Sequence, residues 1–98
     1  MRFSVLFTDN EELANKRQEY MQDHLAFLSL HSGSILGAGP LFKTTTGLGA
    51  GGMWIVEADA LEDVEKLVRE DPFHPTGLRK NIEICEWKLV FENGVKKN

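Results

Sequence analysis

One arginine and two histidines recur at seven-residue intervals, as Arg17, His24 and His31. Seven residues are close to two turns of an α-helix, and residues 10–31 contain neither glycine nor proline, so we predict a helix with all three on one face. Apolar and aromatic residues share that face: Leu13, Tyr20, Met21 and Leu28. Histidine changes its charge near neutral pH, and an arginine on an apolar face requires an anionic partner. The pattern therefore indicates proton transfer beside a bound anion.

A carboxylate that could orient His24 is predicted at the end of a second helix. Antiparallel packing of the two helices brings Asp71 level with Tyr20, one turn or about 6 Å from His24. A His–Asp pair can act as general base and acid, with the carboxylate holding the imidazole. Plainer interpretations stay open: His24 bonds to backbone within a core, Arg17 reaches past the sheet edge, and Asp71 merely ends a helix before Pro72.

Other motifs indicate less. Residues 47–52 spell G-x-G-x-x-G, but a strand rather than a helix follows, so we interpret them as a flexible connection and not a dinucleotide site. Ser34 has no nucleophile elbow around it, and Cys85 alternates with apolar residues as a small core residue would. His24 and His31 would stand about 10 Å apart, too far to share a metal ion. We predict neither a metal site nor a cofactor.

The elements that must position these residues follow the order β-α-β-β-α-β. Alternating apolar residues predict strands at 2–8, 34–36, 53–58 and 81–91. The threonines and glycines of residues 43–52 predict a loop, and we expect a frayed tail at 94–98. Helical spacing predicts one helix at 10–31, capped through Thr8 or Asp9, and a second that starts near Ala60 and ends at Asp71-Pro72. The order is the ferredoxin-like split βαβ pattern, an α+β fold with a four-stranded antiparallel sheet and both helices on one face. We expect one domain over residues 1–98.

The second face of the predicted sheet also has apolar residues. Met53 and Ile55 point away from Trp54 and Val56, and one row of the last strand is apolar throughout: Cys85, Trp87, Leu89 and Phe91. Two helices cover only one face, and an open apolar face is larger than most monomers tolerate. We predict a homodimer, sheet against sheet. In the alternative, residues 43–52 fold over this face.

Charge and composition exclude several classes of partner. The chain has 98 residues, with 11 Lys and Arg against 15 Asp and Glu, and no basic stripe, so we expect no nucleic-acid binding. No apolar run approaches the roughly 20 residues of a membrane span, and the N-terminus has no cleavage site of the signal-peptide type. The single cysteine excludes an internal disulfide. We therefore expect a cytoplasmic protein with a small-molecule ligand.

Several short segments in order resemble the YCII-related (YciI-like) family over nearly the whole chain. They are the opening strand 3–7, Lys16-Arg17 with His24-Leu25, Gly39-Pro40, Val56-Glu57-Ala58, and Asp71-Pro72-Phe73 with Gly77. The resemblance implies a ferredoxin-like dimeric α/β barrel whose cleft uses a helix histidine and an aspartate, here His24 and Asp71.

The family also implies a type of chemistry. Some relatives resemble dehydrochlorinases of chlorinated hydroxyquinols, and related barrels include muconolactone isomerases, which implies proton transfer without a cofactor on a small aromatic or enol-like acid. Many members have arginine three residues before the histidine, where this chain has Met21. Arg17 would therefore have to bind an anionic group alone.

Three hypotheses of function follow. In the first, a lyase or isomerase, His24 moves the proton, Asp71 orients it and Arg17 holds the anion; Tyr20 and Phe73 line the cleft wall or pack in the core. In the second, the same cleft only binds a metabolite or peptide. In the third, the polar residues form a buried network that fixes dimer geometry. Replacing His24 by Ala separates them, because it would abolish turnover, change affinity or lower stability respectively.

Overall fold

Four antiparallel strands form the main sheet of the computed structural model, which describes residues 1–97. They are β1 (Arg2–Asp9), β2 (Ile35–Phe42), β3 (Gly49–Glu57) and β4 (Arg79–Glu86), in the spatial order β2-β3-β1-β4. With helices between the first two and last two strands, this is the split βαβ arrangement. The predicted α+β, ferredoxin-like fold is confirmed.

The helices are α1 (Asn15–Glu19), α2 (Met21–Leu30) and α3 (Leu61–Glu70), with short 3₁₀ turns at Glu11–Leu13 and His74–Thr76. The prediction of one continuous helix over 10–31 is wrong, because Tyr20 adopts φ −107° and ψ 11° and separates α1 from α2. The predicted end of α3 is confirmed: Asp71 is extended, with ψ 132°, as the residue before a proline prefers.

The hydrophobic core lies between the helices and one face of the sheet. Phe3, Val5 and Phe7 of β1 alternate inward, as the period of a strand requires. They pack with buried residues from β2, β3, α2 and α3: Ile35, Trp54, Val56, Phe27, Val64, Leu67 and Val68. This helix-covered face positions every group of the site described below.

The glycine-rich segment is more ordered than its composition predicts. Only residues 43–48 form a turn, closed by the Lys43 N–H donating to the Leu48 carbonyl at 2.9 Å; from Gly49 the chain is strand β3. Gly51 has φ +108°, and a Cβ there would lie 1.8 Å from the carbonyl oxygen of Phe7. The flexible-connection interpretation is therefore wrong for residues 49–52, where a glycine is required for the backbones to approach.

The second face of the sheet, called the open face below, has no helix over it. Leu6, Leu41 and Trp87 lie there and stay 39%, 40% and 43% exposed. Cys85, predicted as a core residue, is also exposed, because its row of β4 points to this face and away from the core.

Beyond β4 the chain forms a second small hairpin, β5 (Phe91–Glu92) with β6 (Val95–Lys96). The predicted last strand, 81–91, therefore starts two residues and ends five residues too late, and residues 95–96 of the predicted frayed tail are paired. Glu92 holds this hairpin to the main sheet by an ion pair of 2.8 Å with Arg2. Asn98 lies outside the described residues. Across residues 1–97, no helix combines the length and apolar character of a membrane span.

Candidate active site

His24 projects from α2 into the interior, and only 7% of it is exposed. Its Nδ1 atom lies 2.9 Å from the carboxylate of Asp71. An ionised carboxylate can only accept hydrogen bonds, so Nδ1 carries the proton and donates it. The other ring nitrogen, Nε2, is then the atom free to accept a proton. The structure thus brings together the two residues that helix counting predicted to meet.

Asp71 is fully buried at the end of α3. Besides the imidazole, it accepts the Phe73 N–H at 2.9 Å and an Nη2–H of Arg79 at 2.9 Å. Burial by itself raises the pKa of this carboxyl, but the hydrogen bond from His24, the charge of Arg79 and the N–H of Phe73 outweigh burial and hold the pKa below its ordinary value. Asp71 is therefore a charged group that fixes the imidazole.

Arg79 completes the network and is not among the site residues predicted from the sequence. Its side chain is 4% exposed, and its Cζ atom lies 3.8 Å from the centroid of the Phe7 ring and 5.1 Å from that of Trp54. Burial lowers the pKa of the guanidinium, and the carboxylate of Asp71 opposes that shift. Because the ordinary pKa of arginine lies far above neutral pH, the group remains a cation.

A β-bulge explains why Arg79 escaped detection. Thr8 pairs with Asn81, but Asp9 pairs with Arg79, so Lys80 is an extra residue in β4. Counted by twos along the strand, Arg79 belongs to the open face. The bulge reverses this and turns its side chain onto the helix-covered face. The sequence shows only a charged residue just before the predicted strand 81–91, and such a residue by itself does not indicate a site.

Arg17, on α1, lies against the Phe73 ring, with its Cζ atom 5.4 Å from the ring centroid. The anionic partner that its position requires is Asp9, whose Oδ2 atom accepts from Nη2 at 2.7 Å. The predicted capping role of Asp9 is therefore wrong: Asn10 occupies the N-cap position, with no side-chain cap hydrogen bond. Asp9 forms an ion pair with Arg17 of α1 instead.

Of the two interpretations of Tyr20 and Phe73, lining the cleft or packing in the core, the structure supports packing, since both residues lie against His24. Phe73 is fully buried and stacks on the His24 ring, with centroids 4.1 Å apart and planes 17° apart. Tyr20 is half-buried between α1 and α2, and its carbonyl accepts the His24 N–H at 3.0 Å. Both residues therefore help to fix the position of His24.

A cavity of about 100 Å³ lies on the exposed side of this network. His24, Arg17 and Arg79 supply its polar wall, and Trp54 belongs to its apolar wall. Gly39 and Gly52 leave room between β2 and β3 because neither has a side chain. Two cations and a histidine beside an apolar surface can bind a small anion and exchange a proton with it.

The remaining candidate residues lie elsewhere. His31 and Ser34 line a wider cleft of about 400 Å³ on the far side of the core, together with Asp63, Lys66 and other charged residues. His74 is exposed in a 3₁₀ turn. In the part of the chain that the structure describes, no three His, Cys, Asp or Glu side chains cluster as metal ligands.

Comparison with solved structures gives a related fold with a known activity. The 5-chloro-2-hydroxyhydroquinone dehydrochlorinase of Burkholderia phenoliruptrix AC1100, in complex with 2,5-dihydroxybenzoquinone, is 28% identical, with a TM-score of 0.80 over 90% of this chain and 94% of that chain. A hypothetical protein from Pyrococcus horikoshii is 17% identical, with a TM-score of 0.50 over 87% of each chain, and is similar in fold alone.

No curated protein matched the chain in a sequence search. The family comparison is more informative, because the sequence model of the YCII-related domain matches residues 1–88. That match spans β1 to the end of β4 and includes every residue of the site. The chain belongs to the family of YCII-related domains.

Proposed function

We propose that the protein is a small-molecule enzyme that transfers protons without a cofactor, as a lyase, isomerase or dehydrochlorinase acting on a small aromatic or enol-like acid. One observation carries the proposal: the buried His24–Asp71 pair, 2.9 Å between Nδ1 and carboxylate, faces a cavity of about 100 Å³. Arg17 stands at the same wall and attracts the anionic group of the substrate.

The geometry supports a general-base mechanism. The Nε2 atom of His24 takes a proton from an acidic carbon or hydroxyl of the substrate, and Asp71 stabilises the imidazolium that forms. The electron pair left behind forms a new C=C or C=O bond. In an elimination, a leaving group such as chloride departs with its bonding electrons; in an isomerisation, another carbon takes the proton back from His24.

The magnitude expected of this catalysis is moderate. A positioned general acid or base contributes roughly a hundred- to ten-thousand-fold in rate. The stacking of Phe73 and the hydrogen bond to Asp71 fix the ring before substrate binds, so no energy is needed to order it at the moment of reaction. The dehydrochlorinase neighbour, at 28% identity, supports this class of chemistry and leaves the substrate itself as our proposal.

The test is release of chloride from 5-chloro-2-hydroxyhydroquinone, followed in wild type, His24→Ala and His31→Ala. We expect His24→Ala to lose roughly a hundred- to ten-thousand-fold in rate and still bind 2,5-dihydroxybenzoquinone. His31→Ala is the matched control, because its ring lines the other cleft. An unchanged rate in His24→Ala contradicts the proposal. Tight binding of the quinone without turnover in wild type would favour the binding-module hypothesis.

We also propose that two copies pair through the open face. Its exposed apolar side chains, among them Leu6 and Trp87, form a patch that a second sheet would bury. Leu6→Asp should convert the dimer to a monomer of 11.1 kDa in analytical ultracentrifugation. Leu30→Asp is the control, since Leu30 is 79% exposed on α2, away from this face. A wild-type protein that sediments as a monomer contradicts the pairing.

A further inference from the structure

One nitrogen of Arg79 has no hydrogen-bond partner in the part of the chain that the structure describes. Nη2 donates to the Oδ2 atom of Asp71 at 2.9 Å, but Nη1 is buried and meets no acceptor within residues 1–97. A buried donor on a charged group loses its hydration, and leaving it unpaired is costly. Native proteins rarely keep such a group without a function.

Two features of the Arg79 side chain connect this nitrogen with ligand binding. Arg79 lines the same cavity as His24. The rings of Phe7 and Trp54 lie against the guanidinium, at 3.8 and 5.1 Å from Cζ. Aromatic packing leaves only the edge of the planar group for hydrogen bonds, and Asp71 occupies one part of that edge. The remaining donor is thus held in a fixed direction.

The two arginines of the cavity differ in what they offer. Arg17 has a 25% exposed side chain and an ion pair of 2.7 Å with Asp9, so part of its charge is neutralised near solvent. Arg79, with a 4% exposed side chain, lies deeper and keeps a donor unused. A charge-assisted hydrogen bond in a water-poor site is stronger than one at the surface.

We propose that Arg79 is a substrate-binding residue whose Nη1 donates to an ionised oxygen of the substrate: a phenolate, an enolate or a carboxylate. This inference rests on the proposed function and names the group by which the substrate is recognised. His24 then acts on a proton next to that oxygen. Because Asp71 bonds both to His24 and to Arg79, one carboxylate sets the positions of the base and of the anion-binding group.

The test compares two probes of similar shape and different charge. 2,5-Dihydroxybenzoquinone has acidic hydroxyls and presents ionised oxygens at neutral pH, whereas hydroquinone keeps its hydroxyl protons. Calorimetry should show that wild type prefers the ionised probe. Arg79→Lys keeps a positive charge for Asp71 but has no second nitrogen. It should lose roughly 10- to 100-fold in affinity for the ionised probe and change little toward hydroquinone. Equal losses for both probes, or no loss, would overturn the inference.

A measurement on wild type covers the case in which Arg79→Lys fails to fold. With ¹⁵N-labelled arginine side chains, addition of 2,5-dihydroxybenzoquinone should shift the guanidinium resonances of Arg79 and leave those of Arg2 unchanged. Arg2 is the internal control because it pairs with Glu57 and Glu92 at the far end of β1. A bound probe with no response from Arg79 refutes the inference. Full turnover in His24→Ala alongside a clear Arg79 response refutes the proposed function instead.

Discussion

His24 and His31 lie seven residues apart at the same face of one helical segment, yet their surroundings differ in almost every respect. His24 is 7% exposed and bonded to a buried carboxylate beside a cavity of about 100 Å³. His31 is half-buried at the end of α2, tilts against Phe27 and borders a cleft of about 400 Å³. Of the two histidines, His24, beside the smaller cavity, has the carboxylate partner that proton transfer requires.

The charged groups around the two imidazole rings differ in their exposure to solvent. Near His31, Glu57 is engaged by the N-terminal amine and by Arg2, and Lys66 and Glu70 are exposed neighbours on α3. Solvent screens such groups, so their effect on an imidazole is weak. Near His24, the charges of Asp71 and Arg79 are out of water and act at close range. Burial with a partner, rather than cavity volume, distinguishes the candidate site.

The largest expected effect of this difference is on stability. Asp71→Ala leaves Arg79 buried without its counter-charge, and breaking a buried ion pair in this way costs about 3–5 kcal/mol. Chemical denaturation should show this loss. Asp63→Ala, an exposed carboxylate of the His31 cleft, should cost less than about 1 kcal/mol. Similar losses in the two variants would mean that the two regions do not differ as the structure indicates.

The meeting of His24 with Asp71 was predictable from the sequence because helices have a fixed rise per residue. The Asp71-Pro72 junction fixes where the second helix ends, and counting residues along two antiparallel helices then brings Asp71 close to His24. Tyr20 interrupts the first helix, but the break lies before α2 and leaves the position of His24 intact. Local rules were sufficient here.

Other parts of the site depend on contacts that local rules do not contain. Arg79 lies before the predicted strand 81–91, and the bulge at Lys80 turns it to the face opposite to the one that strand periodicity would give. Asp9 precedes a helical segment and has the composition of a cap, yet it pairs with Arg17 across space. The glycines of β3 are typical of a loop until the approach of Phe7 to Gly51 is known. Tertiary packing decided each of these.

A second prediction uses pH to separate the two regions, with Asp71→Asn as the probe. The folded-state pKa of Asp71 is lowered, so its contribution to stability is complete above the unfolded value of about 3.9 and is lost as pH falls through the folded value. Near pH 5, the free energy of unfolding of wild type should exceed that of Asp71→Asn by about 1.5–3 kcal/mol, which is the contribution of hydrogen bonds to a charged group.

Urea denaturation between pH 5 and pH 2 should show that this difference narrows with acidification. The control is Asp63→Asn, whose carboxyl is exposed in the first turn of α3. Its difference from wild type should stay small throughout. If the gap for Asp71→Asn is constant or widens toward pH 2, the carboxylate is not held ionised by its neighbours.

A third, smaller effect concerns the space in front of His24. Gly52 lines that cavity, and a Cβ there would stand 3.2 Å from the Gly39 carbonyl oxygen and 4.0 Å from the Arg17 side chain. Gly52→Ala should reduce affinity for 2,5-dihydroxybenzoquinone by roughly tenfold, the lower end of what one methylene changes in a fitted pocket. Ser34→Ala alters the wider cleft and should leave binding unchanged in calorimetry. Weaker binding in Ser34→Ala with unchanged binding in Gly52→Ala would indicate that the ligand binds in the His31 cleft.

The finest distinction between the two histidines is the position of one proton. Because Nδ1 of His24 must donate to an ionised carboxylate, the neutral ring carries its proton on Nδ1 and leaves Nε2 bare. Among residues 1–97, no carboxylate pairs with the half-buried imidazole of His31, which borders the wider cleft and therefore has no such constraint. ¹⁵N chemical shifts of the two ring nitrogens should therefore show the Nδ1–H form for His24 and a mixture of forms for His31. A bare Nδ1 in His24 would leave Asp71 without that donor and turn the available nitrogen away from the cavity, so the base could not act on a substrate held there.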